Sequence, residues 1–118
     1  MEKSDAVVSL AALAQDNRLD VFRLLVQAGP EGMPAGRVAE ELKLAPNTLT
    51  FHFDRLRLAG LVTVRREGRS MIYAARYEAM NSLLAYLTEN CCRGSALQCA
   101  PAACIPPQPA RKRKKVPA

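Results

Sequence analysis

Four cysteines lie within fourteen residues, Cys91, Cys92, Cys99 and Cys104, and the chain has no others. Thiolates are soft ligands, and three of them converging from one short segment suit a thiophilic ion that needs no fourth donor. Trivalent arsenic in pyramidal geometry is the leading candidate, held by Cys91, Cys92 and Cys99, and antimony would behave alike. Vicinal cysteines need a bend or a helix end to aim both sulfurs at one ion, and the weak helix formers Asn90 and Gly94 flank them. Cys104 keeps a second chemistry open, a four-thiolate tetrahedral site for zinc, cadmium or lead, although Cys91 and Cys92 lack the two-residue spacer of a zinc knuckle. Redox switching through a disulfide is a third, and Cys91 alone also fits a buried apolar position.

A second group has a different chemistry. Asn47, Thr48, Thr50 and Phe51 stand near the start of a helical pattern, with Arg55 one turn later. Amides and hydroxyls bond base edges, and a phenyl ring or threonine methyl meets thymine methyl groups. From position 55 to 69 the basic residues are Arg55, Arg57, Arg65, Arg66 and Arg69, against the single acid Glu67. That is a local phosphate-binding surface. His52, the one histidine, falls on the inward side of the same helix, where a structural hydrogen bond is a better expectation than metal ligation. With no second histidine, no Ser, His, Asp arrangement and no Gly-rich phosphate loop, nucleophilic and phosphoryl-transfer catalysis have no equipment.

The chain that must position these groups has 118 residues, 49% apolar and 24% charged, the mix of one globular domain with an aliphatic core, since there is no tryptophan. The net charge of +6 resides mostly in the run Arg111, Lys112, Arg113, Lys114 and Lys115, so the folded part is nearly neutral. Acids among the first five residues, and Gln15 and Asp16 breaking the apolar stretch, give neither a secretory signal nor a membrane span, so a cytoplasmic protein without a membrane partner is expected. In that reducing compartment, crowded thiols favour metal or redox chemistry over a disulfide framework.

Periodicity gives the elements. Residues 4 to 15 form a helix with a wide apolar face that requires a partner surface. Asp16 is placed to cap a second helix over about 16 to 28, ended by Gly29 and Pro30. Pro34 suits the first turn of a third helix carrying Val38, Ala39 and Leu42. Pro46 opens a fourth, in which Leu49, Phe53 and Leu56 point inward together, and Gly60 ends it. The runs LVTVRR and SMIYAA, joined through Glu67, Gly68 and Arg69, read as a two-stranded hairpin. Met80, Leu83, Leu84, Leu87 and Cys91 then recur as the stripe of a fifth helix ending in thiols. Beyond Gly94 the proline-rich, basic sequence reads as a flexible tail. The expected organisation is a domain over 1 to 94 and a tail over 95 to 118. The fold class is mainly α with a small β-hairpin, a winged helix-turn-helix whose helices three and four are the helix-turn-helix and whose residues 61 to 75 are the wing.

The stretch VAEELKLAPNTLTFHFDRLRLAGLV, preceded by LAQDNRLDVFRLLVQAG and followed by the wing, resembles the ArsR/SmtB family of dimeric bacterial metal-sensing repressors. The resemblance implies a homodimer through the first and last helices that reads an imperfect inverted repeat in double-stranded operator DNA. Many arsenic sensors of that family hold thiols in the recognition helix in an ELCVCDL-like motif, where this chain has TLTFHFDRL. Its zinc sensors carry Asp and His ligands on helix five, and YEAMNSLLAYLTEN has no histidine. What remains resembles the arsenic sensors with a Cys-Cys pair and a later cysteine after the last helix. The implied function is a repressor of an arsenic-resistance operon, released from DNA by As(III) or Sb(III). The alternatives are a cadmium, lead, zinc or redox-responsive repressor of the same family, or an interaction protein with structural zinc.

Overall fold

The computed structural model describes residues 1–91. The chain divides into a unit of residues 1–87 and a second of 88–118, and Cys92, Cys99, Cys104 and the expected tail lie outside the described residues. The first unit runs α1 (Lys3–Leu13), α2 (Asp16–Ala28), β1 (Met33–Pro34), α3 (Ala35–Leu42), α4 (Pro46–Leu58), β2 (Val62–Glu67), β3 (Ser70–Ala75) and α5 (Tyr77–Leu87).

Helix α4 shows how the sequence dictates its packing. Pro46 sits in the first turn, where its missing N–H costs no helical hydrogen bond, and Leu49, Phe53 and Leu56 repeat on one face. All three are buried, together with Val21, Phe22 and Leu25 of α2, Val38 of α3, Leu61 just before β2, and Val62 and Ala75 of the sheet. Gly60, with φ of +79°, lets the chain turn out of α4 into β2. Between α3 and α4, Lys43 takes the left-handed conformation, and the N–H of Leu44 reaches the Ala39 carbonyl at 3.1 Å. This closes the turn of the helix-turn-helix.

Three local expectations are corrected. Gln15, not Asp16, caps α2, its side-chain oxygen accepting from the Arg18 N–H at 3.0 Å. An amide one residue earlier reaches the same orphan donors that a capping aspartate would. Pro34 precedes α3 as its cap, and Met33 and Pro34 form β1. The wing is therefore part of a three-stranded antiparallel sheet, order β1-β3-β2, with Met33 opposite Tyr73 and Pro34 opposite Ile72. A two-residue strand has no periodicity of its own to read. In the hairpin, Glu67 pairs with Ser70, leaving Gly68 and Arg69 as a two-residue turn in which Gly68 takes φ of +61°. The third correction concerns the end of α5. The helix stops at Leu87, and Asn90, with φ of +60°, precedes Cys91, whose N–H bonds the Thr88 carbonyl at 3.0 Å. Cys91 thus stands past the helix rather than on its apolar stripe.

Helix α1 buries only Ala6 and Ser9, leaving Val7, Val8 and Leu10 exposed, as Leu87 is on α5. Tyr77 ties the start of α5 to the end of α2 through a 2.9 Å hydrogen bond from its hydroxyl to the Val26 carbonyl. No helix among the described residues is long and apolar enough to cross a membrane.

Candidate nucleic-acid interface

The face of α4 opposite the core carries the residues expected to meet bases. Asn47, Thr48, Thr50, Phe51 and Arg55 are all exposed. The Thr50 hydroxyl donates to the Pro46 carbonyl at 3.0 Å, which fixes its rotamer and leaves its oxygen lone pairs outward as acceptors. Phe51 keeps 50% of its surface in solvent, and the Arg55 guanidinium lies 5.0 Å from its ring centroid in cation–π geometry. Asp54 and Arg57 pair at 3.6 Å on the same helix, so Arg57, which sequence alone places with the free cations, is partly neutralised.

The three wing arginines differ. Arg65 donates from Nε to Glu67 at 2.8 Å and from Nη2 to the Glu31 carbonyl at 2.9 Å, so it ties the wing to the turn before β1. Arg66 donates to the Gly68 carbonyl at 3.2 Å, bracing the hairpin turn. Arg69, at the tip, is exposed. The wing is held against α4 by Tyr73 of β3, whose ring stacks on Phe53 with centroids 3.6 Å apart and planes 5° from parallel. Burial, reinforced by the Asp54 carboxylate, raises the Tyr73 hydroxyl above its ordinary pKa, so the stacked phenol stays neutral. This stack packs the wing strand β3 directly on α4. It escaped the sequence reading because Phe53 was visible only as a core residue.

His52 is buried on α4 as expected, and its Nδ1 has no hydrogen-bond partner. Phe51 lies edge-on to the ring, centroids 5.7 Å apart. Burial and then the Arg18 charge lower its pKa, which keeps the ring neutral. Of the four thiols, Cys91 is described and half-buried, and among the described residues no three His, Cys, Asp or Glu side chains cluster as a metal site would require.

A family model described as a helix-turn-helix domain matches residues 13–65, from the end of α1 through α4 into β2. The helix-turn-helix transcriptional regulator YceK of Bacillus subtilis, itself uncharacterized, is 32% identical over 73 residues, 62% of this chain and 72% of the relative. This chain belongs to the helix-turn-helix transcriptional regulators. The regulator is also similar to the solved structure of HlyU from Vibrio cholerae, 34% identical, covering 74% of this chain and 97% of that one with a TM-score of 0.60. HlyU is described as a transcriptional activator. The fold is that of ArsR-type winged helices. The homodimeric winged helix-turn-helix domain Mb0332 from Mycobacterium bovis, a possible ArsR-family regulator, superposes with a TM-score of 0.61 over 72% of the regulator and 77% of that chain at 22% identity. In this frame α3 and α4 are the regulator's helix-turn-helix and β2–β3 its wing.

Proposed function

We propose that the protein is a homodimeric repressor that holds an inverted-repeat operator through α4 and lets go when As(III), or Sb(III), occupies Cys91, Cys92 and Cys99. The observation that carries the DNA half is the exposed row Asn47, Thr48, Thr50, Phe51 and Arg55 on a helix whose opposite face is core. Arg66 and Arg69 add charge for phosphates beside it. Homodimerisation is supported by Val7 and Leu10 of α1 and Leu87 of α5, apolar side chains left exposed in the single chain, and by the homodimeric relative in Mycobacterium bovis. Two recognition helices fit successive major grooves when they stand about 34 to 36 Å apart.

The arsenic half rests on the thiol pattern: three thiolates supply what a soft pyramidal ion needs, and they come after α5 in sequence. An ion that favours a different dimer geometry would lower operator affinity by about 5- to 150-fold, the usual span of allosteric coupling. The test is release of operator DNA titrated with As(III), Sb(III), Cd(II), Pb(II) and Zn(II). Cys91→Ser, Cys92→Ser and Cys99→Ser should each bind DNA and fail to release it with As(III), whereas Cys104→Ser should respond as the wild type does. Loss of response in Cys104→Ser as well would point to a tetrahedral divalent site. Normal release by all four variants would refute arsenic sensing.

A further inference from the structure

Between α1 and α4 lies an open groove of about 560 Å³, a volume within the range of small-molecule sites. Val8 and Ala11 of α1 and Phe51 and Leu58 of α4 supply apolar walls, and Arg18, His52 and Arg55 supply its charge and polarity. No carboxylate lines it. Arg18 is positioned by a 2.7 Å hydrogen bond from Nε to the Ala12 carbonyl, and neither Arg18 nor Arg55 belongs to an ion pair among the described residues. His52, 5% exposed and without a partner at Nδ1, belongs to the same lining. The neutral imidazole has one N–H donor and one acceptor nitrogen.

We propose that this groove binds a small organic anion, an aromatic or branched carboxylate, whose charge pairs with Arg18 and Arg55 and whose apolar body lies along Val8, Ala11 and Phe51. Two guanidinium groups without an acid, at a concavity that partly desolvates them, favour a planar carboxylate that accepts from their N–H groups. The apolar walls disfavour inorganic phosphate, which would leave them wet. Arg55 also belongs to the DNA-reading face, so anion and DNA compete for one guanidinium, and each must weaken the other by the same factor. This coupling rests on the DNA reading of α4, whereas the site itself does not.

The probe is 1-naphthaleneacetate, added to the full chain without DNA and followed by naphthalene fluorescence, which the absence of tryptophan leaves unobscured. Saturable binding is expected, roughly tenfold or more tighter than that of 1-naphthaleneacetamide, because the amide forfeits the charge-assisted hydrogen bonds. Arg55→Gln should weaken it by a similar factor. Ala11→Phe, at an exposed helical position, should block the groove while circular dichroism stays unchanged. Equal binding of acid and amide, or binding untouched by both variants, would overturn the proposal in favour of an adventitious apolar patch. Absence of binding to a chain that sediments as a dimer would overturn it by giving the groove to the second copy. In a separate arm, anisotropy of a labelled duplex from the region upstream of the gene should show wild-type affinity falling with the probe and Ala11→Phe affinity indifferent to it. A chain that binds the probe but no duplex would refute the DNA reading and leave the anion site standing.

Discussion

Replacing Gly32 by alanine should cost about 3 to 5 kcal/mol, and the structure supplies each part of that figure. Gly32 has φ of +80°, and a methyl group there would overlap the Tyr73 carbonyl oxygen and approach the Ala74 methyl to 3.1 Å. The positive φ alone costs an alanine about 1 to 2 kcal/mol. The remainder comes from moving β3: the β1–β3 pairing opens, losing about 1 kcal/mol per hydrogen bond. The Tyr73–Phe53 stack loosens as well, at about 0.5 to 1.5 kcal/mol. Two other glycines separate these contributions. Gly29, φ +94° with nothing within 4 Å of the added methyl, carries strain alone, and its alanine should cost about 1 to 2 kcal/mol. Gly36, inside α3 with open space around it, should gain about 0.5 kcal/mol on replacement, since alanine is the better helix former. Urea unfolding followed by circular dichroism, at one protein concentration and with unchanged slopes, gives the three differences directly. Because the overlap is on the wing strand, Gly32→Ala should also weaken DNA binding where Gly29→Ala does not. A Gly32→Ala cost no larger than that of Gly29→Ala would refute the reasoning, for it would mean that the sheet has slack at Tyr73.

Arg69→Ala should weaken binding to all duplexes alike and reduce the salt slope by about one, as loss of one phosphate contact requires. Arg65→Ala should act through the wing position instead, costing no more than about 1 kcal/mol of stability for an exposed tether. Hydrogen exchange at Glu31 and Glu67 measures its loosening. Leu87→Asp should leave the single chain folded, since Leu87 is 55% exposed there, but should shift sedimentation to the monomer by burying an unpaired charge in the proposed interface. A dimeric Leu87→Asp would place the interface elsewhere. The His52 imidazole has its pKa lowered below 6.5 by burial and by Arg18, so below that pH the unfolded chain takes up the proton more readily than the folded one. Stability from this group is therefore complete above 6.5 and lost as pH falls from there toward the lowered value. Melting at about pH 7.5 and 5.5 should show a larger acid loss for the wild type than for His52→Gln.

Most of the architecture was legible locally. The inward row Leu49, Phe53 and Leu56 is a periodic signal carried within one turn-to-turn repeat, and burial of those three side chains follows from it. Helix α2 ran over the expected residues, because Gly29 and Pro30 stop any helix whatever surrounds it. The exposed row on α4 was legible for the same reason, as the complement of the buried one. What only the folded chain decided are contacts between residues far apart in sequence. Met33 and Pro34 become a strand because β3 offers them an edge. Arg65 becomes a tether because the Glu31 carbonyl, 34 positions away, comes within 2.9 Å. The groove and the unpartnered nitrogen of His52 exist only where α1 crosses α4. Periodicity tells a residue which way to face, whereas the identity of what it faces is fixed by packing, which sums over the whole core and leaves no mark in any short window of sequence.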